Sequence, residues 1–156
     1  AFLGADNLRD LPLDEAVAAC VRIKADVVSS DEREGGRRML LNYGHTLGHA
    51  IEAASRYDLR HGEAVAIGLV FAAELACRLG RIDRDRVDEH RRTVGAYDLP
   101  TSIPSGIDLA EVRAYIGRDK KAVHGVTWIL DGPDGVEPVK GVDPTVVDEA
   151  MEAVRA

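Results

Sequence analysis

Cysteine is scarce in this 156-residue chain, and neither Cys20 nor Cys77 stands at a metal-binding spacing. Both fall within helical patterns, so the expectation is two buried free thiols in a reducing, cytoplasmic setting. No apolar run reaches the roughly 18 residues of a membrane span. The nearest approach, Ala64 to Leu79, is interrupted by Glu74 and Arg78. No signal peptide is recognisable. Basic excess is also absent: 20 Lys and Arg against 27 Asp and Glu leave a net charge of -7. That balance argues against bulk binding to nucleic acid or an anionic membrane. There is no glycine-rich strand-to-helix turn of the kind that cradles a dinucleotide, and no internal repeat. The first residue is Ala1 rather than Met, which raises the expectation of a piece of a longer protein.

What is present reads as one globular domain, 46% apolar and 30% charged. Helix one is expected from Leu11-Pro12-Leu13-Asp14-Glu15, with an early proline and acids in the first turn, to about Val28. Leu13, Val17, Cys20, Val21 and Lys24 follow at helical spacing. Helix two is expected from about Arg37 to Ser55, with Gly44 and Gly48 inside it; two glycines four apart suggest close packing against a neighbour or a ligand. Helix three opens at His61, is apolar enough to be central, and closes at Gly80. Asp83 caps helix four, Arg84 to about Tyr97, whose dense charge reads as a solvated face. Asp108 caps helix five, ending near Ile116, and Asp143-Pro144 opens the last helix, to Val154. Val123–Leu130 and Val136–Val139 are expected to form a hairpin through Asp131-Gly132-Pro133-Asp134-Gly135. The fold class is mainly α, with one small β-hairpin.

Chemistry concentrates around three of the five histidines. His45 and His49 are four apart and share one helical face. His61 must return to that face from a second element. Imidazoles converging from two helices can hold a divalent metal. The wider pattern is Asn42-Tyr43-Gly44-His45-Thr46-Leu47-Gly48-His49-Ala50-Ile51-Glu52, answered by His61-Gly62-Glu63-Ala64. With Lys24-Ala-Asp-Val-Val, Asp31-Glu-x-Glu34, Arg38-x-x-Leu-Asn42 and Asp119-Lys120-Lys121, it resembles the C-terminal domain of the 3-dehydroquinate synthases, which are sugar phosphate cyclases. The resemblance runs from about Leu11 to the end. Two departures are Asp98, where the family usually has Gly, and Trp128, in place of a more usual Phe.

The resemblance implies a reaction and a division of labour. The family cyclises 3-deoxy-D-arabino-heptulosonate 7-phosphate to 3-dehydroquinate with phosphate release, in the shikimate pathway, using NAD and Zn2+ (or Co2+). It assigns His45 and His61 as metal ligands and His49 as a substrate-binding, proton-handling group. Its third ligand is a glutamate from a preceding part of the protein. Lys24, Arg38, Asn42, Lys121 (or its neighbour Lys120) and Glu34 are implied in the anion-binding network around a carboxylate and a phosphate. NAD is implied to bind mainly on an N-terminal domain, the full protein to be a homodimer, and this chain alone to be inactive. A three-histidine site of His45, His49 and His61 stays open. Glu52 and Glu63 are candidate acceptors for imidazole N–H groups, Glu63 alternatively serving as a carboxylate at a helix N-terminus. His90 and His124 match nothing in the family and are expected at the surface. The competing readings are another sugar phosphate cyclase, a metal-dependent polyol dehydrogenase, and a non-catalytic metal-binding helical module.

Overall fold

The structure is a computed structural model that describes residues 12–31, 36–119 and 125–156. It falls into two compact units that divide between Asn42 and Tyr43. The first holds helix α1 (Leu13–Ser30) and a 3-10 helix (Arg37–Asn42). Asp31 links them: its Oδ2 accepts the backbone N–H of Gly36 at 2.7 Å and of Arg38 at 3.1 Å. Only Val27 is buried on α1 among the described residues of this unit, while Val17, Val21 and Ile23 are 52–60% exposed. Cys20 is likewise exposed, against expectation, because it lies on the same open stripe of α1 as Val17 and Val21, three and one positions away.

The second unit contains α2 (His45–Ala54), α3 (His61–Arg78), α4 (Arg84–Gly95), α5 (Leu109–Asp119), β1 (Trp128–Leu130), β2 (Glu137–Val139) and α6 (Pro144–Ala153). α3 is its axis. From Ala64 to Ala76 nearly every side chain is buried, and α2, α4, α6 and β1 pack around it. Ile51, Ile67, Val70, Phe71, Leu75, Val112, Leu130 and Met151 form the centre of the core. Each such burial stabilises the fold by about 1.5–3 kcal/mol relative to an exposed side chain. Trp128 sits in this core with its ring centroid 5.5 Å from that of Phe71.

Helix caps occur where expected. Asp83 Oδ1 accepts from Arg86 N at 2.9 Å, Asp143 Oδ1 from Thr145 N at 2.8 Å and Asp108 Oδ1 from Ala110 N at 2.8 Å. Gly80 ends α3 in the left-handed region at φ 68°. The hairpin is shorter than expected, pairing Trp128 with Val139, Ile129 with Pro138 and Leu130 with Glu137. Pro138 donates no ladder hydrogen bond and is exposed, which suits a two-stranded edge.

Helix two is not continuous. The 3-10 helix ends at Asn42, Tyr43 and Gly44 form a turn, and the α-helix starts afresh at His45. Gly44 has φ 76°, and a Cβ there would lie 2.9 Å from Leu69 N and 3.0 Å from Val65 O. The break and the glycine thus serve the same contact with α3.

Candidate metal site

Backbone packing brings the histidines together. A Cβ on Gly48 would lie 3.2 Å from the Val65 Cα, and one on Gly68 would overlap the carbonyl of Gly44. Glycine at these three positions lets the α2 and α3 backbones touch, as the pair Gly44 and Gly48 suggested. His45 then stands on the first turn of α2, His49 one turn on, and His61 at the start of α3. Leu47, Gly48, Ala50 and Ile51 are buried, so the histidine face of α2 is left for the site.

The three imidazoles form a nearly equilateral triangle. Ring centroids are 5.5 Å apart for His45 and His49, 5.4 Å for His45 and His61, and 5.6 Å for His49 and His61. At a Zn–N distance of about 2.0–2.1 Å, imidazoles in one tetrahedral shell have centroids roughly 5 Å apart, so the triangle has the size of a metal site. One ligand atom each from His49, Glu52 and His61 lies within 4.8 Å of the others.

Hydrogen bonds orient two of the rings. His45 Nδ1 lies 3.0 Å from the carbonyl of Tyr43, and His61 Nδ1 lies 3.0 Å from Glu52 Oε2. A carbonyl and a carboxylate only accept, so in each ring Nδ1 carries the proton and Nε2 keeps its lone pair. Glu52 therefore takes the acceptor position expected of it. Glu63 instead accepts the backbone N–H of Arg60 at 2.8 Å, the helix-terminus alternative. The ligand atoms close enough to share a zinc or cobalt ion are those of His49, Glu52 and His61; His45 joins them by the proximity of its ring and stands outside that group of atoms.

The anion-binding candidates lie in the first unit or outside the described residues. Lys24 is exposed on α1, while Arg38 (half-buried) and Asn42 (exposed) share the 3-10 helix. Glu34, Lys120, Lys121 and His124 fall outside the described residues.

Two polar clusters escaped the sequence reading. His90, expected at the surface, is 8% exposed because it lies with Val87 and Val94 on the inward stripe of α4. Its Nε2 is 2.8 Å from the Tyr43 hydroxyl and its Nδ1 is 2.8 Å from the Arg86 carbonyl. Burial, reinforced by Asp131, raises the pKa of Tyr43, against a smaller lowering by Arg86. The second cluster surrounds Glu74, which is 2% exposed and bonded to Arg78, Arg84 and Arg91 at 2.7–3.0 Å. Burial would raise its pKa, but the hydrogen bonds from Arg84, Arg91 and Arg78 prevail and lower it to about 2. The charge on α4 is thus only partly a solvated face.

The helical fold and histidine site define a domain of the sugar phosphate cyclase type. Residues 4–122 match the family described as 3-dehydroquinate synthase C-terminal, and the chain belongs to that family. It is 53% identical over 140 residues to the 3-dehydroquinate synthase of Leifsonia xyli subsp. xyli, covering 88% of this chain and 39% of that one. It is 50% identical over 151 residues to a protein of Amycolatopsis mediterranei named provisionally as an aminodehydroquinate synthase, covering 97% of this chain and 43% of that one. A solved 2-deoxy-scyllo-inosose synthase, complexed with carbaglucose-6-phosphate, NAD+ and Co2+, aligns with TM-score 0.73 and 28% identity over 91% of this chain and 41% of its own. A 2-epi-5-epi-valiolone synthase from Streptomyces hygroscopicus shares the fold, with TM-score 0.74 and 19% identity over 90% of this chain and 39% of its own. The chain spans about two fifths of the length of these relatives. Among the described residues, no helix is long and apolar enough to cross a membrane.

Proposed function

We propose that this chain is the metal- and substrate-binding domain of a 3-dehydroquinate synthase, a cytoplasmic enzyme of the shikimate pathway. The longer protein, a homodimer, takes 3-deoxy-D-arabino-heptulosonate 7-phosphate to 3-dehydroquinate and phosphate. The observation that carries the reading is the pair of orienting bonds at His45 and His61, which leave two Nε2 lone pairs on one triangle of rings. His45 and His61 hold the ion, with Glu52 fixing the His61 ring. Bound there, Zn2+ or Co2+ supplies Lewis acidity toward a substrate oxygen. His49, exposed and edge-on to His45, binds substrate and moves protons. Lys24, Arg38, Asn42, Glu34 and Lys121 form the polar set for carboxylate and phosphate, where a planar guanidinium fork and point-charge ammonium groups are the suitable partners. NAD is held mainly by an N-terminal domain of the longer protein; this chain by itself is inactive.

Zinc titration of the wild type and of His45→Ala, His49→Ala and His61→Ala tests the site. Loss of binding in His45→Ala and His61→Ala, with His49→Ala largely spared, supports the assignment. Equal loss in all three establishes the three-histidine alternative, and equal retention in all three overturns the site.

A second reading within the family is favoured by the 50% identity to the Amycolatopsis protein: the substrate is an amino analogue of the keto acid phosphate. Phosphate release by the longer protein, measured with both substrates, decides between them.

A further inference from the structure

Three hydrogen bonds run in series from α4 to the first histidine of the site. His90 Nδ1 donates to the Arg86 carbonyl at 2.8 Å, one turn back on its own helix. That bond fixes the tautomer and leaves Nε2 as an acceptor. The Tyr43 hydroxyl donates to this Nε2 at 2.8 Å. The Tyr43 carbonyl, in turn, accepts the Nδ1–H of His45 at 3.0 Å. Tyr43 is therefore held at both ends, by its side chain against α4 and by its main chain against the ligand ring.

The middle of this series needs such an anchor. Tyr43 and Gly44 form the turn that opens α2, and Gly44 has left-handed backbone at φ 76°. Rotation of the Tyr43–Gly44 peptide plane would swing the Tyr43 carbonyl away from His45; the Gly44 side of that plane is seated against α3, and the Tyr43 side depends on its own side chain. The phenol docked on His90 opposes that rotation. The nearest carboxylate, Asp131, has its Oδ2 3.9 Å from His90 Nε2, beyond hydrogen-bond range, and bonded to Arg86 Nε at 2.8 Å. The edge-on packing of the Tyr43 and His90 rings, with centroids 6.1 Å apart and planes at 81°, reinforces the same orientation.

We propose that His90, with Tyr43 as intermediary, is a positioning residue for the metal ligand His45: it holds the turn so that the Tyr43 carbonyl keeps the His45 proton on Nδ1 and turns Nε2 to the metal. The inference rests on the reading of His45 as a ligand. It assigns a function at the site to a helix-four residue that touches neither metal nor substrate.

The test uses the full-length protein loaded with Co2+, read by its visible absorption spectrum and by competition for its dissociation constant, with the melting temperature of the metal-free protein measured alongside. Tyr43→Phe and His90→Leu each break the series at one bond. Each is expected to weaken Co2+ binding by about 10-fold or more and to alter the ligand-field bands, as loss of an outer partner of a metal ligand does. The double variant is expected to be no worse than the weaker single one, because both remove the same link. His90→Gln, which returns an acceptor at the reach of Nε2, is expected to restore binding to within about threefold. A lowered melting temperature with unchanged affinity and spectrum in Tyr43→Phe and His90→Leu would reduce the pair to core packing and overturn the proposal. If His90→Leu fails to fold, Tyr43→Phe, which deletes a single oxygen atom, decides alone. A parent spectrum indifferent to His45→Ala overturns the metal reading itself, and the inference with it. A His45-dependent spectrum that Tyr43→Phe leaves unmoved overturns only the inference.

Discussion

Glu52 Oε2 and His61 Nδ1 lie 3.0 Å apart, joining the second half of α2 to the first residue of α3. The carboxylate side chain is only 15% exposed while the imidazole is 56% exposed, so the orienting end is sheltered and the other edge is open to solvent. Replacing Glu52 by Ala is expected to weaken zinc binding about 10–100-fold, and by Gln less, since an amide oxygen still accepts. Calorimetric titration of the longer protein checks this; unchanged affinity in Glu52→Ala would remove Glu52 from the site.

The glycines of the α2–α3 contact should respond unequally to alanine. Gly68→Ala is expected to destabilise by roughly 3 kcal/mol or more, because the added methyl meets main chain that cannot rotate away. Gly44→Ala combines close contacts with left-handed backbone, the latter alone costing about 1–2 kcal/mol. Gly62→Ala, with nothing within 4 Å, is expected to stabilise by about 0.5–1 kcal/mol. Urea denaturation of the three variants gives the order, and a neutral Gly68→Ala would contradict the close contact.

Glu74 makes stability depend on acid. Its pKa is about 2 in the folded chain against an ordinary value of 4.5. A carboxylate with a lowered folded pKa contributes fully above the unfolded value and loses that contribution as pH falls through the folded one. The expected contribution at neutral pH is about 3 kcal/mol, fading between roughly pH 5 and pH 2. Glu74→Gln is expected to flatten the pH dependence of stability in that window while lowering stability at pH 7. An unchanged acid limb in Glu74→Gln would show that other carboxylates set it.

On the proposed reading of Arg38 as a substrate-anion partner, Arg38→Lys in the longer protein is expected to lower kcat/KM by the equivalent of about 2–3 kcal/mol, because a guanidinium fork would be replaced by a single ammonium. Steady-state kinetics measure it directly. Near-normal kcat/KM would place Arg38 outside the anion set.

The features legible in the sequence are those whose causes lie close along the chain. Asp83, Asp108 and Asp143 each cap a helix through a backbone N–H two or three residues ahead. His45 and His49 announce a shared face by spacing alone. His90 could not be read this way, because its partner Tyr43 is 47 positions away and its neighbours on α4 are mostly charged. The buried Glu74 was hidden for the same reason: two of its three arginines come from the next helix. The break at Gly44 belongs to this class, since its backbone is set by contact with α3 rather than by local propensity. Asp98 is a middle case. Its place where the family usually has glycine is explained by φ 58°, a left-handed position that aspartate tolerates better than most residues.

The seating of Gly44 and Gly48 on α3 also sets how this site can change over time. Contacts made by side chains can be retuned by a methylene or a rotamer, so the sites they support drift in small steps. Here the spacing of His45, His49 and His61 is carried largely by main chain against main chain, with Leu69 Cγ the side-chain atom that comes near Gly44. The intermediate adjustments are absent: a substitution at Gly68 removes the joint, and no substitution there shifts it slightly. Variation in substrate among proteins built on this frame would have to come from the loops and charged groups around the histidine triangle, while the triangle itself keeps its dimensions.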